Sequence, residues 1–173
     1  MLTNTPPDPE DRLRQGETTE LAFRAFLRTF GLLNSAMEPY FNSFGITGAQ
    51  WGVLRALRRA EDSGLKRLRM TDLGKRLLIR PPSVTGVISR LERLGYVERR
   101  PNPTDQRAKD VGLTSDGRKV LNRVLQHHPR QMDAVLGGLT QADRRELNRL
   151  MLQMASHLEA LQRHGQKDNG TRS

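Results

Sequence analysis

The stretch RPPSVTGVISRLERLGYVERR at residues 80–100, continued by PNPTDQRAKDVGL at 101–113, decides the fold. Val84, Val87, Ile88, Leu91 and Leu94 follow one another at steps of three and one, which places them on a single stripe of an α-helix. Ser83 opens that helix and Gly95 closes it. The opposite face is small and polar at its start and basic further on: Ser83, Thr85, Gly86, Ser89, Arg90 and Arg93. Tyr96–Arg100 and Lys109–Leu113 read as two short strands, and the turn-rich segment between them suits no helix. The pair forms a hairpin whose exposed tip carries Arg107.

Working upstream, Pro81-Pro82 interrupts a short helix expected over Asp72–Leu78, with Thr71 as its cap and Leu73, Leu77 and Leu78 inward. Thr47-Gly48-Ala49-Gln50 is a capping box, and the helix it opens carries Trp51, Leu54 and Leu57 before stopping at Asp62-Ser63-Gly64. Before it, a helix starting near Thr18 or Thr19 presents Phe26, Phe30, Leu33, Met37, Tyr40 or Phe41, and Phe44 on one stripe. Pro39 bends it or leaves it straight, and Gly45 stops it.

Downstream, Thr114 caps a helix lined by Val120, Leu121, Val124, Leu125, His128, Met132, Val135, Leu136 and Leu139, which Pro129 kinks or divides. Thr140 and Asp143 start a last helix with Leu147, Leu150, Met151, Met154, Leu158 and Leu161 on one side. Residues 1–17 and 164–173 read as flexible tails, because they hold too little apolar area to order themselves.

A chain of 173 residues accommodates one domain with extensions. Hydrophobic residues make up 35%, and no apolar run is long enough to span a membrane. No charged segment followed by an apolar one marks the N-terminus as a signal peptide. Cysteine is absent, which excludes disulfides, thiol chemistry and thiolate-held zinc and fits a cytoplasmic setting. The net charge of +10 is unevenly spread, at −2 over residues 1–50, +9 over 51–109 and +3 over 110–173. A polyanion-binding centre on a near-neutral scaffold has that distribution. A generally Arg-rich composition is the duller alternative, and the localisation of the excess favours the first.

Two short helices, a polar-faced helix and a basic hairpin, in that order, make a winged helix-turn-helix. The expected fold is therefore mainly α with a small β-hairpin wing: a reading module over 47–113 and a helical region over 18–46 and 114–163. A helix is about as wide as the major groove of B-DNA. Ser83, Thr85 and Gly86 are small enough to let its backbone approach base edges, and its N-terminal amides suit a phosphate. Pro82, Ser89 and Arg90 belong to the same face, and Arg76 and Arg80 suit phosphate contacts. Arg107 at the hairpin tip fits the minor groove, where negative potential attracts arginine. Each position has a plainer reading: a cap at Ser83 and Thr85, a solvated charge at Arg90, edge protection at Arg107. The apolar stripes of the first and last helices exceed what the small module could cover, which points to a homodimer.

The sequence resembles the MarR family of transcriptional regulators over residues 18–163. The resemblance is carried by GITGAQWGVL at 45–54 and by the continuous stretch from Thr71 to Gly117, including the Asp-x-Arg of Asp105-Gln106-Arg107 and LTSDG at 113–117. It implies a homodimer on a pseudo-palindromic operator in double-stranded DNA, usually as a repressor. It places Ser83, Thr85 and Arg90 at the major groove and Arg107 in the minor groove, with Asp105 orienting the wing through ion pairs. It also implies a small-molecule effector, bound near Gly31, Asn34 and Trp51. From packing alone, Trp51 reads as core.

No nucleophile elbow, P-loop, zinc-helix or dinucleotide motif is visible, so no enzyme activity and no cofactor are expected. Glu61-Asp62 reads as a solvated turn, and the adjacent His127-His128 does not suit a shared metal. The rival to sequence-specific regulation is a non-specific architectural nucleic-acid binder.

Overall fold

The computed structural model describes residues 9–77, 83–105 and 107–170, with side chains over 16–77, 83–105 and 107–163. Among the described residues, nine elements follow in order: α1 (Pro9–Asn42), α2 (Gly48–Asp62), β1 (Leu68–Arg69), α3 (Met70–Arg76), α4 (Val84–Arg93), β2 (Val97–Pro101), β3 (Lys109–Leu113), α5 (Ser115–Val135) and α6 (Gln141–Gly170). Two compact units divide the chain, residues 1–129 and 130–173.

The core of the first unit is built from the stripes that the spacing predicts. α2 contributes Val53, Leu54, Ala56, Leu57 and Ala60, and α4 contributes Val87, Ile88 and Leu91. Leu73 of α3, Leu68, Val97, Val111 and Leu113 of the sheet, and Val120, Leu121 and Val124 of α5 belong to it, with Met37 and Phe41 of α1 and Ile46 beyond it. Leu94 departs from expectation: it caps the C-terminus of α4, beyond the buried stripe, and is exposed. Gly95 then takes φ +73°, a left-handed conformation that other residues adopt only with strain, and turns the chain from α4 into β2.

The sheet is antiparallel with order β1-β3-β2. Val97 stands opposite Leu113, Arg99 opposite Val111 and Pro101 opposite Lys109. The alternation of side chains puts Val97 and Arg99 on one face of β2 and Glu98 and Arg100 on the other. β1 is an unforeseen third strand: Leu68 pairs with Val111, covering one edge of β3 with two residues.

Several boundaries differ from the sequence reading. α1 begins at Pro9 rather than near Thr18, and α6 continues to Gly170, so most of both supposed tails is helical backbone. Proline suits a first helical turn, as at Pro9. α3 begins at Met70, with Arg69 at the cap position and no side-chain cap, so Thr71 is inside the helix rather than its cap. Pro39 and Pro129 lie within continuous helices. The Thr47–Gln50 box forms in both directions, and so does the reciprocal pairing of Thr140 with Asp143.

Candidate nucleic-acid interface

α4 turns its apolar stripe into the core, which leaves its other face outward. Ser83, Thr85 and Arg90 are exposed there, and Gly86 and Ser89 are half-buried. Ser83 Oγ accepts from the Gly86 amide at 3.0 Å, so the capping role is real. That bond uses the oxygen as acceptor and leaves the hydroxyl proton available to a phosphate. Capping and DNA contact are thus compatible in one side chain.

Ser89 is held from behind. Arg99 Nη2 of β2 donates to Ser89 Oγ at 2.8 Å, and Arg99 Nη1 lies 3.5 Å from Glu92. The strand therefore grips α4 and sets the angle between helix and wing. The alternation of β2 holds the signal for this contact, because Arg99 shares the face of buried Val97. The opposite face of β2 is organised by charge. Glu98 accepts from Arg67 at 2.6 Å and Arg100 at 3.0 Å, and these two guanidinium groups hold its carboxyl below the usual range.

Between the start of α4 and the wing lies an open cleft of about 460 Å³, lined by Arg69, Met70, Thr71, Thr85, Arg99, Asp105, Arg107, Ala108 and Lys109. Hydroxyls and cations dominate its polar lining. Lys109 and Thr71 join the predicted residues here. Arg107 is exposed, and its guanidinium has no partner among the described residues. Its amide donates to Asp105 Oδ1 at 3.1 Å, and Asp105 Oδ2 lies 3.9 Å from Arg69 Nη1.

Arg76 is exposed at the C-terminus of α3. It borders a second groove with Arg67, Lys75 and Asn102, which shares Arg69 with the cleft beside Thr85. Arg80 and Pro82 lie outside the described residues. Glu61 is far from solvated: it receives two bonds from Arg118 of α5, and its side chain is 17% exposed. That pair ties α2 to α5, and the carboxylate raises the Arg118 pKa.

Trp51 stacks on Phe41 and packs against His128, but it is half-buried at the edge of the core rather than inside it. Gly31 and Asn34 are exposed, and they precede Phe41 on α1 by ten and seven residues, roughly 10–15 Å of helix. The structure does not gather these three positions into one cluster.

A helix with its polar face bare, gripped by a sheet and flanked by a basic hairpin, is a winged helix-turn-helix, a module that binds duplex DNA. Comparison with known proteins narrows the class. The sequence profile of the MarR family matches residues 44–108. The HTH-type transcriptional regulator FarR of Neisseria gonorrhoeae is 32% identical over 129 residues, 75% of this chain and 85% of its own. The HTH-type transcriptional repressor YetL of Bacillus subtilis is 32% identical over 114 residues, covering 64% of this chain and 66% of that protein. Among solved structures, Bordetella bronchiseptica BpsR, described by the regulation of its DNA binding by 6-hydroxynicotinic acid, superposes with TM-score 0.61 at 28% identity. That match covers 80% of this chain and 98% of BpsR. The chain belongs to the MarR family and is a DNA-binding transcriptional regulator. These relatives are regulators, not enzymes. Among the described residues, no helix is long and apolar enough to cross a membrane.

Proposed function

We propose that the protein is a homodimeric repressor that reads a pseudo-palindromic operator and releases it when a small organic effector binds. The observation that carries this reading is the bare polar start of α4, with Ser83, Thr85 and Arg90 exposed beside a wing tipped by Arg107. In this reading α4 enters the major groove, Arg90 reaches phosphates or guanine edges, and Arg107 enters the minor groove. Arg76, Arg80 and Lys109 neutralise flanking phosphates, and Pro82, Gly86 and Ser89 keep the approach narrow. Residues 47–113 do the reading, and 18–46 with 114–163 join the two copies.

Dimerisation is supported by the apolar side chains that α1 and α6 leave uncovered, Phe26, Phe30 and Leu33 on one and Leu150, Met151 and Leu158 on the other. A dimer on the operator excludes other proteins from that DNA, the simplest route to repression. The description of BpsR supports an effector. We place its site beside Trp51, in the region first expected to include Gly31 and Asn34. An effector that binds better to a dimer with mis-spaced recognition helices lowers operator affinity by population shift.

Selection of duplexes from a randomised pool, followed by footprinting, tests the reading. The expected product is an inverted repeat with half-site centres about 34–36 Å apart. Equal affinity for selected and scrambled duplexes would leave only charge-driven, architectural binding.

A further inference from the structure

The wing tip contains a buried polar side chain that DNA contact does not explain. Asn102 is 8% exposed, while Pro101, Pro103 and Thr104 around it are exposed. It follows the last paired residue of β2, where the ladder ends at Pro101 opposite Lys109. Beyond that point the tip must be held by other means.

Asn102 holds it from both ends of its amide. Its Nδ2 donates to the two carboxylate oxygens of Asp110 at 2.9 and 3.0 Å, anchoring the side chain to β3. Its Oδ1 accepts from the Thr104 amide at 3.0 Å, the Thr104 hydroxyl at 2.8 Å and the Asp105 amide at 3.0 Å. Backbone bonds from Asn102 N to Ala108 O and from Ala108 N to Asp105 O close the loop around this hub. Asp105 then accepts from the Arg107 amide. The chain of bonds runs from Asp110 through Asn102 and Asp105 to the backbone of Arg107.

We propose that Asn102 is the positioning residue of the wing, fixing the turn that delivers Arg107 to DNA. The inference rests on the minor-groove role given to Arg107 above. A loop already in its bound shape does not lose freedom on binding, so the hub raises affinity without touching DNA. The amide is suited to the task because one end donates and the other accepts, which matches a carboxylate below and two backbone amides above. Aspartate in its place keeps the acceptor, loses the donor and sets two carboxylates face to face.

The test is a set of variants of the full chain, measured against the duplex that the wild-type protein selects from a randomised pool. Asn102→Asp is expected to weaken binding roughly tenfold, close to the loss from Arg107→Ala. Asn102→Asp combined with Asp110→Asn moves the donor to the other side of the same bond and is expected to recover affinity to within about threefold. In an Arg107→Ala background, Asn102→Asp is expected to change binding less than about twofold. Thermal unfolding of each variant separates loss of the hub from loss of the fold, and the exchanged pair carries the test if the single variant unfolds. An equal loss from Asn102→Asp with and without Arg107 would mean a merely structural role and overturn the proposal. So would a drop from Arg107→Ala with none from Asn102→Asp. If Arg107→Ala itself binds like wild type, the minor-groove reading fails and takes this one with it.

Discussion

In the proposed reading, Ser83 and Arg107 serve DNA in two different ways. Ser83 Oγ already accepts a bond within the protein, whereas the Arg107 side chain has no partner among the described residues. Ser83→Ala should therefore lose both a cap, about 1 kcal/mol of stability, and operator affinity. Ser83→Asp should keep the cap and the melting temperature yet repel phosphate, so binding falls while stability holds. Thermal melts paired with mobility-shift titrations separate the two effects. Arg107→Ala should leave the melt unchanged, weaken binding several-fold and lower the salt slope by about one. These positions were legible because a cap and a turn are local patterns. Gly117 was not, although the resemblance covers it. A Cβ there would overlap the Tyr96 carbonyl oxygen, which belongs to another part of the chain. Thr114 fastens the same join, donating to the Gly95 carbonyl and accepting from the Gly117 amide. Gly117→Ala should cost roughly 1–3 kcal/mol or more, read as a lowered melting temperature, because backbone must move to admit the methyl group.

Between elements, the meeting of α1, α2 and α5 is held by rings as well as by the Glu61–Arg118 ion pair. Tyr40 of α1 donates its hydroxyl to the Val124 carbonyl of α5 at 2.7 Å, and its ring stacks on His128. His128 also packs against Trp51 of α2. Its Nδ1 is shielded from solvent with no hydrogen-bond partner among the described residues. Burial, and then the charge of Arg55, hold its pKa below the usual histidine value. An unfolded chain therefore takes up this proton at higher pH than the folded one. The contribution of His128 is intact above the ordinary histidine range and fades as pH falls toward the lowered folded value. The melting temperature should drop between about pH 7 and 5, and His128→Phe should flatten that part of the profile. A profile of equal slope in both proteins would remove His128 from the acid response. The sequence placed His128 on the inner face of its helix, because period 3.6 marks sides. It did not reveal the Tyr40 and Trp51 contacts, since periodicity does not say which sides meet. The same limit hid the Glu61–Arg118 link, and a two-residue strand such as β1 is too short to show any period at all.

At the scale of the whole molecule, the unfinished surface is the apolar one. The stripes on α1 and α6 were legible as stripes, yet along α6 Leu147, Leu150, Met151, Met154, Leu158 and Leu161 all remain 36–55% exposed. Water-exposed apolar area of that extent is unfavourable at roughly 25 cal/mol per Å², and covering it by a second copy removes the cost. Periodicity within one chain cannot distinguish a partner from the chain's own core, so the faces were legible without their cover. Met154→Glu with Leu158→Glu places carboxylates on the stripe, where a neighbouring copy would have to bury them unpaired. Side chains already facing solvent can accept charge without disturbing the fold of one chain, so the melt of the reading module should survive. Sedimentation is then expected to show a dimer for the wild type and a monomer for this variant. Affinity for a full inverted repeat should fall by orders of magnitude, because two linked half-sites become two separate ones, while affinity for a single half-site stays near its wild-type value. A variant that remains dimeric, or that keeps full-site affinity as a monomer, would mean that another surface joins the copies or that one module suffices.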